Sequence, residues 1–148
     1  LQDLKTEIQA LANIGMVYLD LEKFSEALRY FFQGLEYSDR LQDKEEMANL
    51  LVNIGMVKAR QGDYSSTIDY CQRAVQVISG AGGEAILWEA YFEMAHAYRQ
   101  LQDFRRSLDC YRLWIFNANI SIIVDLTDQK RADILRSFGD LRHLQLPD

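Results

Sequence analysis

Leu11-Ala12-Asn13-Ile14-Gly15-Met16-Val17 and Leu51-Val52-Asn53-Ile54-Gly55-Met56-Val57 are nearly one phrase, written twice at an interval of 40 residues. A relaxed copy, Tyr91-Phe92-Glu93-Met94-Ala95, stands one more interval along the chain. A fourth, Leu135-Arg136-Ser137-Phe138-Gly139, follows 44 residues later. Phe24, Tyr64 and Phe104 mark a second phase of the same repeat. Self-similarity at this period is the signature of a stacked array. Each unit buries its apolar face on its neighbours, and function lies along a continuous surface rather than in one pocket.

Outward from the phrase, apolar residues recur at spacings of three and four, as in Ile8, Leu11, Ile14, Gly15 and Tyr18 on one face of a first helix. Each unit therefore reads as two amphipathic helices, about 4–21 with 24–41, 44–61 with 64–79, and 84–101 with 104–124. Gly62-Asp63 breaks the second pair, and Gly80-Ala81-Gly82-Gly83 closes it. Asp125-Leu126-Thr127-Asp128 suits the cap of a terminal helix, about 129–144. The expected organisation is one array over 1–148, with units 4–41, 44–79 and 84–124 and the terminal helix.

A glycine inside a helix costs about 1 kcal/mol relative to alanine. Its recurrence at one phase implies a packing gain that outweighs the cost. Gly15, Gly55, Ala95 and Gly139 would let the first helix of each unit approach its partner closely, and Ala27, Thr67 and Ser107 would do so on the second.

Composition excludes several classes. Of 148 residues, 49% are hydrophobic, enough for a sizeable core. The only proline is Pro147, so long uninterrupted helices are permitted. Sixteen Lys and Arg against 22 Asp and Glu leave a formal charge of -6, which disfavours nucleic acid as a partner. No run of apolar residues is long enough to cross a membrane, and no secretory leader is visible. The chain begins without Met, so a fragment of a longer protein is expected. Cys71 and Cys110 read as small core residues in a reducing compartment, with a disulfide as the alternative and a cytoplasmic location expected.

The two phases together resemble the tetratricopeptide repeats. Unit one matches their pattern as Leu11, Ile14, Gly15, Tyr18, Phe24, Ala27 and Phe31. Unit two matches as Leu51, Ile54, Gly55, Tyr64 and Ala74, with Lys58 in place of an aromatic. Unit three matches as Tyr91, Met94, Tyr98, Phe104 and Tyr111, with Trp114 where a small residue is usual. The long period is similar to the variety found in kinesin light chains, polarity adaptors and bacterial sensory arrays. The resemblance implies an all-α fold, a superhelical array of antiparallel helix pairs (an α-solenoid) with about seven helices. Aligned on Gly139, Leu146-Pro147 falls at the turn before a further helix, which favours a cut inside a longer array over a polar cap carrying Arg136, Arg142 and His143.

In such arrays the first helices line a concave surface. By helical phase the groove residues here are Gln9, Asn13 and Met16, then Asn49, Asn53, Met56 and Arg60, then Glu89, Glu93, His96 and Arg99. Ala12, Val52 and Phe92 fall on the same face. Asn13 and Asn53 are repeat equivalents, and an amide offers donors and an acceptor together. The resemblance implies that they hold an extended peptide by its backbone. Met16, Met56 and Phe92 suit either an adaptable floor or contacts between units. The co-chaperone members of the family clamp a terminal carboxylate with cations. Here the matching positions read Gln9, Asn13, Asn53, Glu89 and Glu93, so an acidic tail would meet like charge.

Other chemistry has little material. Glu93-x-x-His96 has the spacing of a di-iron ligand pair, but its required partners are missing, so no metal is expected. The two histidines, His96 and His143, give no nucleophilic pair with Cys71 or Cys110. No glycine-rich phosphate loop follows a strand. The expectation is a protein- or peptide-binding module without catalysis or cofactor, taking a neutral or basic segment, with no nucleic acid and no membrane. Two alternatives stand beside it: a regulatory region of a larger signalling enzyme, and a self-association scaffold that stacks through its C-terminal end.

Overall fold

The computed structural model describes residues 2–80 and 83–117. They form six α-helices: α1 (Gln2–Asp20), α2 (Phe24–Leu41), α3 (Lys44–Arg60), α4 (Tyr64–Ile78), α5 (Glu84–Gln100) and α6 (Phe104–Asn117). The described residues contain no strand. The expected terminal helix, and with it Gly139 and Pro147, lies outside the described residues.

Within each pair the helices approach closely where the small residues stand. A Cβ on Gly15 would overlap the ring of Phe31 in α2, and one on Gly55 would sit 3.0 Å from Cys71 Sγ in α4. The second helix returns the contact. Thr67 Oγ1 donates to the Gly55 carbonyl at 3.2 Å, and Ser107 Oγ donates to the Ala95 carbonyl at 2.8 Å. From sequence Thr67 and Ser107 read as small residues alone. The structure adds a buried hydrogen bond that ties the two helices of the pair.

Four turns repeat one geometry. Glu22, Gln42, Gly62 and Gln102 have φ of 57°, 54°, 78° and 61°, so each turn needs a left-handed residue, but only one uses glycine. The next residue caps the following helix. Asp63 and Asp103 accept from the N–H groups of Ser66 and Arg106, as Asp43 does from Glu46. Lys23 stands at the matching place and makes no side-chain cap.

Packing runs in two layers. Helix α3 touches α1 on one side and α5 on the other, while α2, α4 and α6 fill the second layer and pack on them. The layer whose neighbours touch is the inner one. Two core clusters result, one around Ile8, Phe31, Ile54 and Val57, the other around Leu51, Cys71, Phe92 and Trp114. Leu35, Met56 and Tyr70 pack against both, so the clusters run on as one core. Trp114 lies against the rings of Trp88 and Phe92, with centroids 5.5 and 6.1 Å away. It thus packs on α5.

One expectation needs correction. Ile14 does not share the buried face of Ile8 and Leu11; it is exposed, because no α2-like helix packs on that side of α1 among the described residues. No helix among the described residues is long and apolar enough to cross a membrane.

Candidate functional site

The inner layer presents the groove residues unevenly. Gln9 and Asn13 are exposed on α1, and Met16 is half-buried against the first core cluster. Gln9 Nε2 donates to Glu46 Oε1 on α3 at 3.3 Å. Lys5 Nζ reaches Asp43 at 3.1 Å along the same seam. The pair raises the pKa of Lys5. Burial pushes the Asp43 carboxyl up, but the Glu46 N–H and the Lys5 ammonium outweigh it and hold the group below the usual carboxylate range. Glu46, Lys5 and Asp43 belong to no groove motif in the sequence; they meet only because α1 lies on α3.

On α3, Asn49 is half-buried and Asn53 is 9% exposed. Asn13 and Asn53 are thus equivalent in phase and unlike in setting. Ala12 and Val52, placed by phase on the groove face, belong to the core. They sit under the residues that flank them, a distinction of one position that periodicity does not resolve.

Between α3 and α5 the layer opens into a cleft of about 200 Å³, lined by Met56, Ala59, Arg60, Phe92, Glu93 and His96. The fold therefore brings together four of the sequence candidates, Met56, Arg60, Glu93 and His96. Met56 lines the cleft and also touches the core. Phe92 lines the cleft from a largely buried position, stacked beside Trp88 with centroids 6.4 Å apart. His96 lies edge-on to Tyr64, with centroids 6.3 Å apart, and its Nε2 is 3.3 Å from Gln100 Nε2. Tyr64 comes from the start of α4, so its place at the groove edge was not visible from the first-helix pattern. Glu89 and Arg99 are half-buried on α5 outside this cleft.

Cation and carboxylate on facing walls, an imidazole and an apolar floor can hold a peptide segment. They lack an activated nucleophile. Both thiols are free and buried. Burial drives the Cys71 pKa far above its usual value, and the nearby Glu93 and Glu89 carboxylates raise it further. Burial, then Asp109 and Asp103, pushes Cys110 up to about 11. Both sulfurs are therefore protonated at neutral pH, which leaves no thiolate. Among the described residues no group of three His, Cys, Asp or Glu side chains is placed to hold a metal ion.

Two tetratricopeptide repeat models match the chain, over residues 10–45 and 46–113. The chain is 31% identical over 67 residues to the mitochondrial tetratricopeptide repeat protein 19 homolog of Drosophila melanogaster. The match takes in 45% of this chain and 18% of that protein, so the chain spans under a fifth of the relative's length. Among solved structures, the TPR domain of Arabidopsis FLU superposes with a TM-score of 0.70 at 24% identity, over 76% of this chain and 94% of that one. BtubC (BKLC) from P. vanneervenii superposes with a TM-score of 0.63 at 18% identity, over 95% of this chain and 50% of that one. At these identities the structural likeness speaks for the fold.

Proposed function

The chain belongs to the tetratricopeptide repeat family, and from that premise we propose that it binds an extended protein segment in its inner groove and carries out no catalysis. Members of the family generally mediate contacts between proteins. The observation that carries the finer reading is the cleft between α3 and α5, where Met56 and Phe92 form an apolar floor between Arg60 on one wall and Glu93 with His96 on the other. Glu89 lies one turn before Glu93 on the same helix. Two acids on α5 favour a segment that is neutral or carries Lys or Arg where it crosses that helix. Asn13 offers an open amide upstream of the cleft, and Asn53 a nearly enclosed one, so the grip on the peptide backbone falls mainly on the α1 side. The units act as one array over 1–148, the groove running across them.

Half-exposed charges are each worth about 1 kcal/mol or less, and their effect fades with salt. A panel of extended peptides differing only in charge, titrated at low and high ionic strength, tests the reading. Basic members should bind more tightly at low salt, and Glu93→Lys should remove or invert the preference. Tighter binding of acidic members would overturn it. The buried thiols Cys71 and Cys110 suit a reducing compartment. The sequence reading favours the cytoplasm, and the name of the Drosophila relative places that protein in mitochondria. Fractionation of tagged protein decides between the two.

A further inference from the structure

A second and larger cleft lies on the outer layer. The second helices spread apart over the curved inner layer, and between α2 and α4 they leave a space of about 480 Å³. Its α2 wall is Phe32, Leu35, Glu36 and Asp39, its α4 wall Arg73, Gln76 and Val77, and its floor Met47 and Leu51 of α3. From this cleft we propose a second binding site, one that takes a short extended peptide segment with a large apolar side chain and a Lys or Arg beside it. The proposal does not depend on the inner groove.

Three observations point to that occupant. Phe32 is 44% exposed, an aromatic left open on the surface but held edge-on against Tyr70 with centroids 6.4 Å apart. With Leu35, Met47 and Val77 half-buried around it, the wall has one apolar side free to cover. The charge on the rim is graded along the helices. Glu36 and Asp39 lie in the last turns of α2, where the negative end of the helix dipole adds to their charge. Arg73 lies at the other end, at the level of its repeat equivalent Gln33. A cation is therefore favoured towards the C-terminal end of α2.

The third observation is that the repeat does not require these residues. One repeat later, the positions of Phe32, Glu36 and Asp39 hold Gln72, Gln76 and Ser79, and the position of Arg73 holds Leu113. The same architecture thus folds without the aromatic and without the acid pair. The pair is not committed to structure either. Glu36 meets Arg40 in an ion pair on the open surface, with both side chains more than half exposed. A ligand cation can take the place of Arg40 there without uncovering a buried charge.

The probes are acetyl-Trp-Gly-Lys amide and acetyl-Trp-Gly-Glu amide, titrated into the folded chain and followed by amide chemical shifts. The Lys probe should move the signals of Phe32, Leu35, Asp39, Met47 and Val77 and bind about tenfold more tightly than the Glu probe. Glu36→Lys with Asp39→Lys should invert that preference at unchanged helicity, since both side chains face solvent. Phe32→Ala should weaken both probes as read at Leu35, Asp39, Met47 and Val77, and leave any shifts at Met56, Glu93 and His96 as they were. Equal affinity for the two probes, no shifts at these residues up to the solubility limit, or shifts confined to Met56, Glu93 and His96 would each overturn the proposal. That last outcome would leave the inner-groove reading standing alone.

Discussion

Helices α1 and α3 carry almost the same seven-residue phrase and give it different lives. Ile54 and Val57 are 0% exposed, whereas Ile14 is 40% and Val17 58% exposed. The sequence difference is small, so the cause is the neighbourhood. α3 is enclosed by α2, α4 and α5, with Leu50 seated against Gly34 of α2. α1 meets α2 and α3 and has no α2-like helix on its other side among the described residues. A repeat fixes which residues point where; the adjacent unit fixes what pointing there is worth.

The largest test of that contrast is a matched pair of truncations. Ile54→Ala removes methyl groups from a closed core and should cost about 2–5 kcal/mol in denaturant unfolding. Ile14→Ala takes the same atoms from a half-open surface and should cost less than about 1 kcal/mol. Equal losses would mean that α1 is as enclosed as α3.

The two glycines come next, and here the order reverses. A methyl at residue 15 meets the Phe31 ring, with Cδ1 at 2.7 Å, and Phe31 is itself fully buried. A methyl at residue 55 meets Cys71 Sγ at 3.0 Å and nothing else within 3.4 Å. Gly15→Ala should lose on the order of 1–3 kcal/mol by overpacking, and Gly55→Ala distinctly less. Thermal melts of the two variants side by side would show whether unit one is the tighter pair.

A smaller difference lies in the turns. Asp63 and Asp103 cap their helices, and Lys23 at the equivalent place does not. Lys23→Asp should stabilise unit one by about 1 kcal/mol, less whatever the Lys23 ammonium gains over the Tyr18 ring 6.0 Å away. The gain should depend on pH with a definite sign. Hydrogen bonds from Ser66 hold Asp63 below its usual pKa, so its contribution is present above the ordinary carboxylate value and lost as pH falls through the folded one. A cap built at residue 23 should fade in the same acid window, and a gain that persisted there would not come from capping.

The smallest effect concerns the left-handed residues. Glu22→Gly would relieve a positive φ that Gly62 already accommodates, but would free the unfolded chain. The two terms nearly offset, so the melting temperature should rise slightly or hold. A clear fall would show that Glu22 contributes through its side chain.

Helix pairing was legible because its signals are local. The phrase, the small residues and the apolar spacing all sit within one unit, and the partner helix fills the space over both glycines, with the Phe31 ring at Gly15 and Cys71 Sγ at Gly55. Of the groove, the meeting of Met56, Arg60, Glu93 and His96 followed from phase. What did not follow depends on more than one helix. The hydroxyl bonds of Thr67 and Ser107 need the partner's carbonyl in place. The enclosure of Asn53 against the openness of Asn13 needs α5 beside α3. Tyr64 reaches His96 from another helix altogether. The outer cleft arises from the spread of α2 and α4, which no single helix records.

The cleft between α3 and α5 is the proposed seat of an extended, neutral or basic segment. Chemical-shift mapping with the tightest basic peptide of the panel tests it most directly. Signals of Met56, Ala59, Arg60, Phe92, Glu93 and His96 should move together and saturate at one affinity, with Glu93→Lys abolishing the change. Saturable binding that left those six residues undisturbed would contradict the account.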